Sequence, residues 1–194
     1  MTGLLEALRE IIHGERLVRD PVKLEEPAET SRCAPLTLRG ARPHCALRLQ
    51  SDDHLRILAP LARERSVRKL PDYIVFCEPP TPAERPEDIS LQLLVCELKS
   101  GAVGAESART QVQLGKLLAE YLVRIATHLL GKPEVPKLWC SGLIVSPELP
   151  ASLLPKGNTR PGKVELPSHY DKWSQMRIYY SPGGHDLRLE SLFG

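Results

Sequence analysis

The chain has 194 residues, enough for one domain with a sizeable core. With 42% hydrophobic and 26% charged residues, it is neither fibrous nor low-complexity nor broadly disordered. A net charge of +2 argues against a strongly basic nucleic-acid coat but leaves room for local basic patches.

Five cysteines, an odd number with no CxxC spacing, argue against a disulfide framework and against a thiolate zinc site. Cys77, Cys96 and Cys140 sit in apolar stretches and read as small core residues. Met1 to Arg19 alternates charged with apolar residues, unlike a signal peptide, and no apolar run reaches transmembrane length. The expectation is a cytoplasmic protein with no membrane contact.

In chain order, Leu4, Leu5, Leu8, Ile11 and Ile12 recur at helical spacing and predict an amphipathic helix over 2–19, ended by Asp20-Pro21. Residues 21–43, rich in Pro and Glu, read as an extended or loop segment. His44 to Gln50 alternates as a strand, and 52–69 is ambiguous. Tyr73 to Cys77 is a short β-type run, followed by a loop with four prolines over 78–88. Leu91 to Leu98 is almost continuously apolar, as in a buried strand. A glycine-bearing turn precedes a helix over about 106–130, stopped by Gly131 and Pro133. Leu138 to Val145 reads as a strand, and 147–172 as a long excursion. Met176–Tyr180 and Leu187–Leu192 suggest a hairpin around Ser181-Pro182-Gly183-Gly184. This order predicts an α/β fold with a mixed central sheet flanked by helices. It is expected as a single domain over 1–194, with a core at about 1–146 and a C-terminal extension from 147.

One stretch carries chemistry: Pro71-Asp72, a strand, a loop, a second strand, then Glu97-Leu98-Lys99. Side chains alternate along a strand, so Glu97 and Lys99 share a face. If the two strands pair antiparallel, Asp72 at the start of one meets Glu97 and Lys99 at the end of the other. Two carboxylates at one point repel unless a cation joins them. Oxygen donors suit a hard ion, Mg2+ or Mn2+, with the Leu98 carbonyl as a further ligand. Such an ion polarises a phosphodiester and lowers the pKa of a bound water. Lys99 is placed to orient or deprotonate that water, or to hold the phosphate.

These residues resemble the PD-(D/E)xK nuclease superfamily, on the matches Pro71-Asp72 and Glu97-Leu98-Lys99. The resemblance covers roughly residues 1–146 and implies a restriction-endonuclease-like core and a metal-dependent nuclease. It implies Asp72 and Glu97 as metal ligands, DNA rather than RNA as substrate, endonuclease activity, and pairing into a homodimer or larger complex. The alternative is an inactive nuclease-fold module that binds nucleic acid or a partner protein. Family members offer a Gln from the helix after the motif. Gln111 is preferred here over Gln113 because it lies beside Ala108 and Gly115 on the apolar flank. The branch with a Tyr four residues after that Gln is not matched, since Gly115 and Leu117 stand there. Members also add a first-helix acid, for which Glu6, Glu10 and Glu15 are candidates and Glu10 is chosen. Arg63, Arg65, Arg68 and Lys69 read either as phosphate-binding residues or as a solvated face, as do Lys156, Arg160 and Lys163.

Overall fold

The computed structural model describes residues 2–18, 20–26, 31–40, 42–49, 70–79, 90–101, 105–132, 134–149 and 166–193. Helix α1 spans Thr2–Ile11 and is followed by a 3-10 turn at Gly14–Arg16. Four strands come next: β1 (Leu17–Val18), β2 (Val22–Leu24), β3 (Leu36–Arg39) and β4 (His44–Arg48). Strands β5 (Tyr73–Cys77) and β6 (Ser90–Leu98) precede helix α2 (Ala105–Leu129). The chain continues with β7 (Lys137–Val145), β8 (Ser168–Asp171), β9 (Met176–Ser181), β10 (Asp186–Arg188) and a 3-10 turn at Leu189–Leu192.

Seven strands form one sheet in the order β1-β4-β5-β6-β7-β9-β8. The β6–β7 and β7–β9 pairs are parallel and the other four pairs are antiparallel, so the sheet is mixed. A parallel pair needs a crossover, and α2 supplies it between β6 and β7. A second sheet has the order β10-β3-β2.

The near-continuous apolar runs of β5 and β6 follow from burial on both faces. Ile74, Phe76, Leu91, Leu93 and Val95 pack with Leu4, Leu5 and Leu8 of α1 and with Ala108, Val112 and Ala119 of α2. Tyr73, Val75, Leu94, Cys96 and Leu98 pack instead with Val22, Leu24, Leu36 and Leu38 of the second sheet. Among the described residues, both α-helices therefore cover one face, and the small sheet covers the other. No helix of the described residues is long and apolar enough to cross a membrane.

The first helix ends at Ile11, well before Asp20-Pro21, because the chain turns at His13-Gly14 and enters edge strand β1. The C-terminal hairpin is also corrected. Met176–Ser181 pairs with β7 and β8, whereas Asp186–Arg188 pairs in parallel with β3 in the other sheet. The link uses Gly183 and Gly184 at φ 81° and 75°. A Cβ on Gly183 would lie 2.4 Å from the Ala34 carbonyl oxygen, so the chain passes against that backbone as it changes sheets. The crossing delivers Leu187, Leu189 and Leu192 to the second core, a burial that a solvent-exposed hairpin would forgo.

Helix α2 is seated through a missing side chain. A Cβ on Gly115 would lie 2.4 Å from Pro71 Cγ and 2.5 Å from Val95 Cγ1. Gly115 thus lets the helix close onto the proline that precedes Asp72, and a tyrosine there would collide with both groups. Gly115→Ala gains about 1 kcal/mol of helix propensity but overpacks this contact, at about 1–3 kcal/mol. The expected result is a net loss of stability, read as a lower denaturant midpoint with an unchanged slope.

Candidate active site

The register of β5 on β6 builds the site. Tyr73 stands opposite Cys96. One residue earlier, Asp72 N–H donates to the Cys96 carbonyl at 3.1 Å, and the Leu98 N–H donates to Asp72 Oδ2 at 2.7 Å. Leu49 N–H donates to the Asp72 carbonyl at 2.8 Å. Asp72 is therefore held by main-chain groups on both sides, with its carboxyl at the end of β6. By strand alternation Glu97 and Lys99 follow Leu93 and Val95 onto the helix face.

Glu97 is only 2% exposed. Its Oε1 forms an ion pair with Lys99 Nζ. Its Oε2 is buried without a hydrogen-bond partner, an arrangement that native interiors rarely tolerate. Burial, and then the neighbouring Asp72 charge, push the Glu97 carboxyl up to about 8, against the pull of Lys99. Burial also raises Asp72, opposed by the Leu98 N–H and by Lys99.

Lys99 Nζ donates to Gln111 Oε1 at 2.6 Å, and Gln111 Nε2 donates to the Leu70 carbonyl at 3.1 Å. Gln111 thus links α2, Lys99 and the residue before Pro71, so its amide positions Lys99. Gln113 points elsewhere, donating to Asp171 Oδ2 at 3.0 Å beside β8. The Leu98 side chain is in the second core, and its main chain runs past Asp72.

Glu10 is not brought to this cluster. Glu6, Glu10 and Glu15 are all exposed. Arg9, next to Glu10, donates to the His44 carbonyl at 2.9 Å, and His44 pairs with Cys77, at the other end of β5 from Asp72. Arg63, Arg65, Arg68, Lys69, Lys156, Arg160 and Lys163 lie outside the described residues.

Glu26 is the acid that sequence reasoning missed. Its charge acts on Asp72 and on Cys33, and its Oε2 accepts from Ser31 Oγ at 2.5 Å. Cys33 Sγ lies 3.8 Å from the Val145 carbonyl, at the same end of the sheet. Nothing local marks Glu26, which follows a three-residue strand in a segment whose composition suggests a loop. Only the stacking of the second sheet brings it near Asp72.

No protein-family model, no curated protein and no solved structure matches this chain.

The geometry sets a pH dependence for the metal-free protein. The folded Glu97 carboxyl titrates near 8, against 4.5 for a free side chain. Between those values the folded chain holds a proton that the unfolded chain has lost, so stability falls as pH rises. The slope is at most about 1.4 kcal/mol per pH unit for one group, and the raised Asp72 adds to it with the same sign. Denaturant unfolding from pH 5 to 9 in a chelator should show this decline, and Glu97→Gln should flatten it.

Proposed function

We propose that the chain is a divalent-metal-dependent nuclease that hydrolyses phosphodiester bonds, with DNA rather than RNA as its substrate. The observation that carries this reading is the pairing of Asp72 with Glu97, whose buried Oε2 lacks a partner, beside Lys99 at one end of the sheet. The buried Glu97 carboxyl, the half-buried Asp72 beside it and an orphaned oxygen suit a hard cation, which would compensate the repulsion that helps to raise Glu97. Asp72, Glu97 and the Leu98 carbonyl would hold Mg2+ or Mn2+. When bound, such an ion supplies Lewis acidity and a water of lowered pKa.

The chain's own residues then divide the work. Asp72 and Glu97 would hold the ion in their ionised forms, so Glu97 would give up to solvent the proton that it keeps in the metal-free protein. Lys99, freed from Glu97, holds the attacking water or a phosphate oxygen. Gln111 keeps the Lys99 ammonium in place by anchoring to Leu70. Glu26 adds negative potential on the Asp72 side.

One observation favours a second reading, an inactive module of this fold that binds nucleic acid or a partner protein. Among the described residues, no group of three or more His, Cys, Asp or Glu side chains is gathered to hold a metal. A cleavage panel separates the two readings. Single- and double-stranded DNA and RNA are incubated with Mg2+ or Mn2+ and wild-type, Asp72→Ala or Lys99→Ala protein. The expected result is cleavage that requires metal and falls at least about a hundredfold in each variant. Cleavage retained in both variants, or absent from wild type with either metal, would sink the nuclease reading.

A further inference from the structure

The outer strands of the main sheet are dry on one face only. Leu138 and Cys140 of β7, and Met176, Ile178 and Tyr180 of β9, turn into the helix-side core. Side chains alternate along a strand, so Lys137, Trp139, Arg177 and Tyr179 turn to the opposite face. Tyr179 packs on the second core, which fixes that side. Tyr170 of β8 stands directly opposite Arg177 and therefore shares its face. Ser168 does too, and its Oγ accepts from Arg177 Nη1 at 3.2 Å.

On this face Trp139 and Tyr170 are each 57% exposed, and Lys137 and Arg177 are exposed as well. A large ring left more than half in water forgoes most of the burial that usually recruits it to a fold. The strand order β7-β9-β8 sets Arg177 between the two aromatic positions. Trp139 lies two strands across from Tyr170 and two residues along from its row, which separates their Cα atoms by about 12 Å. Among the described residues, neither Lys137 nor Arg177 is paired with a carboxylate. The acid Glu190 lines a small pocket with Arg42 and Gln92, the register partner of Trp139, so a guanidinium accompanies it.

Exposed rings flanking an unpaired cation match one class of ligand. A nucleic-acid base stacks on an aromatic ring whatever its sequence, and its phosphate meets the cation. Bases inside a duplex are already stacked on one another and cannot reach such rings. An apolar protein partner would bury Arg177 and Lys137 without a counter-charge.

We propose that the β7-β9-β8 face binds single-stranded nucleic acid, with bases stacked on Trp139 and Tyr170 and the backbone on Arg177 and Lys137. This face is on the opposite side of the sheet from Glu97 and Lys99, and binding there does not need cleavage at that cluster.

Fluorescence anisotropy of a labelled oligothymidine of about ten nucleotides, in chelator so that nothing is cut, tests this. A mixed-sequence hairpin duplex is the comparison. The single strand is expected to bind at least about tenfold more tightly than the duplex. Trp139→Ala and Tyr170→Ala should each weaken it by about tenfold. Arg177→Gln should lower the salt slope by about 0.7. Tyr121→Ala removes an exposed ring on α2, on the other side of the sheet, and should leave binding unchanged. The chain has two tryptophans, so Trp173→Phe leaves Trp139 as the reporter, and its emission should be quenched by the oligonucleotide. The replaced rings are exposed, so an unchanged denaturant midpoint shows that each variant keeps the fold. No single-strand binding, a duplex bound as tightly, wild-type affinity in Trp139→Ala and Tyr170→Ala, an equal loss in Tyr121→Ala, or unquenched Trp139 would overturn the proposal. So would a dimer in sedimentation that Trp139→Ala dissolves, by assigning the face to a second copy. Binding in chelator and metal-dependent cleavage are separate readouts, so either reading can fail alone.

Discussion

Two carboxyls stand opposite each other across an antiparallel strand pair, and the rest of the site is arranged around that contact. Asp72 meets Glu97 because Tyr73 meets Cys96, and that register is locked by side chains buried on both faces of β5 and β6. A slip of one residue would turn every one of those side chains to the wrong face. The apolar core thus enforces an electrostatically unfavourable contact. The surrounding structure answers it with Lys99, the Leu98 N–H and a retained proton on Glu97. In the ionised form of Glu97, its Oε2 is left without a donor.

Helix α2 acts as the strut for this contact. Gly115 lets it settle on Pro71 and Val95, which fixes the height of the helix above the sheet. At that height Gln111 reaches both Lys99 and the Leu70 carbonyl. The opposite flank of the helix holds the far edge of the sheet, through Gln113 to Asp171 and Lys116 Nζ to the Ser174 carbonyl at 2.7 Å. A tyrosine in place of Gly115 is incompatible with this seating.

The sheet is charged at both ends and dry between. At one end lie Asp72, Glu97 and Lys99, and at the other Arg9, Arg42 and His44. Strand ends are where side chains escape the two packed layers, so polar groups collect there without disturbing the core. The small second sheet contributes at both ends. It stacks Glu26 near Asp72, and β3 leads through Gly40 into the turn that carries Arg42.

The long and strongly patterned elements are legible in the sequence. Residues 73–77, 91–98 and 138–145, and the long helix between the last two, are set by local periodicity, which needs only neighbours along the chain. The same periodicity places Gln111 on the flank toward Lys99 and turns Gln113 away. Strands of two to four residues, such as β1, β2 and β10, are too short to show a period. Their pairing rests on partners distant in sequence. Ser181-Pro182-Gly183-Gly184 has the residues of a tight turn, but those residues serve equally to carry the chain between sheets. Glu10 lies on a helix, as its spacing predicts, but the angle at which that helix packs takes it to the wrong end of β5. The sequence by itself determined the central strands, the crossover helix and the place of a Pro-Asp before one strand and an acidic-x-Lys at the end of the next, because these are local patterns. Tertiary structure alone decided which acids stand near Asp72, where Glu97 loses its solvent, and how a second layer covers the sheet. Those outcomes depend on burial and on contacts between residues far apart in the chain.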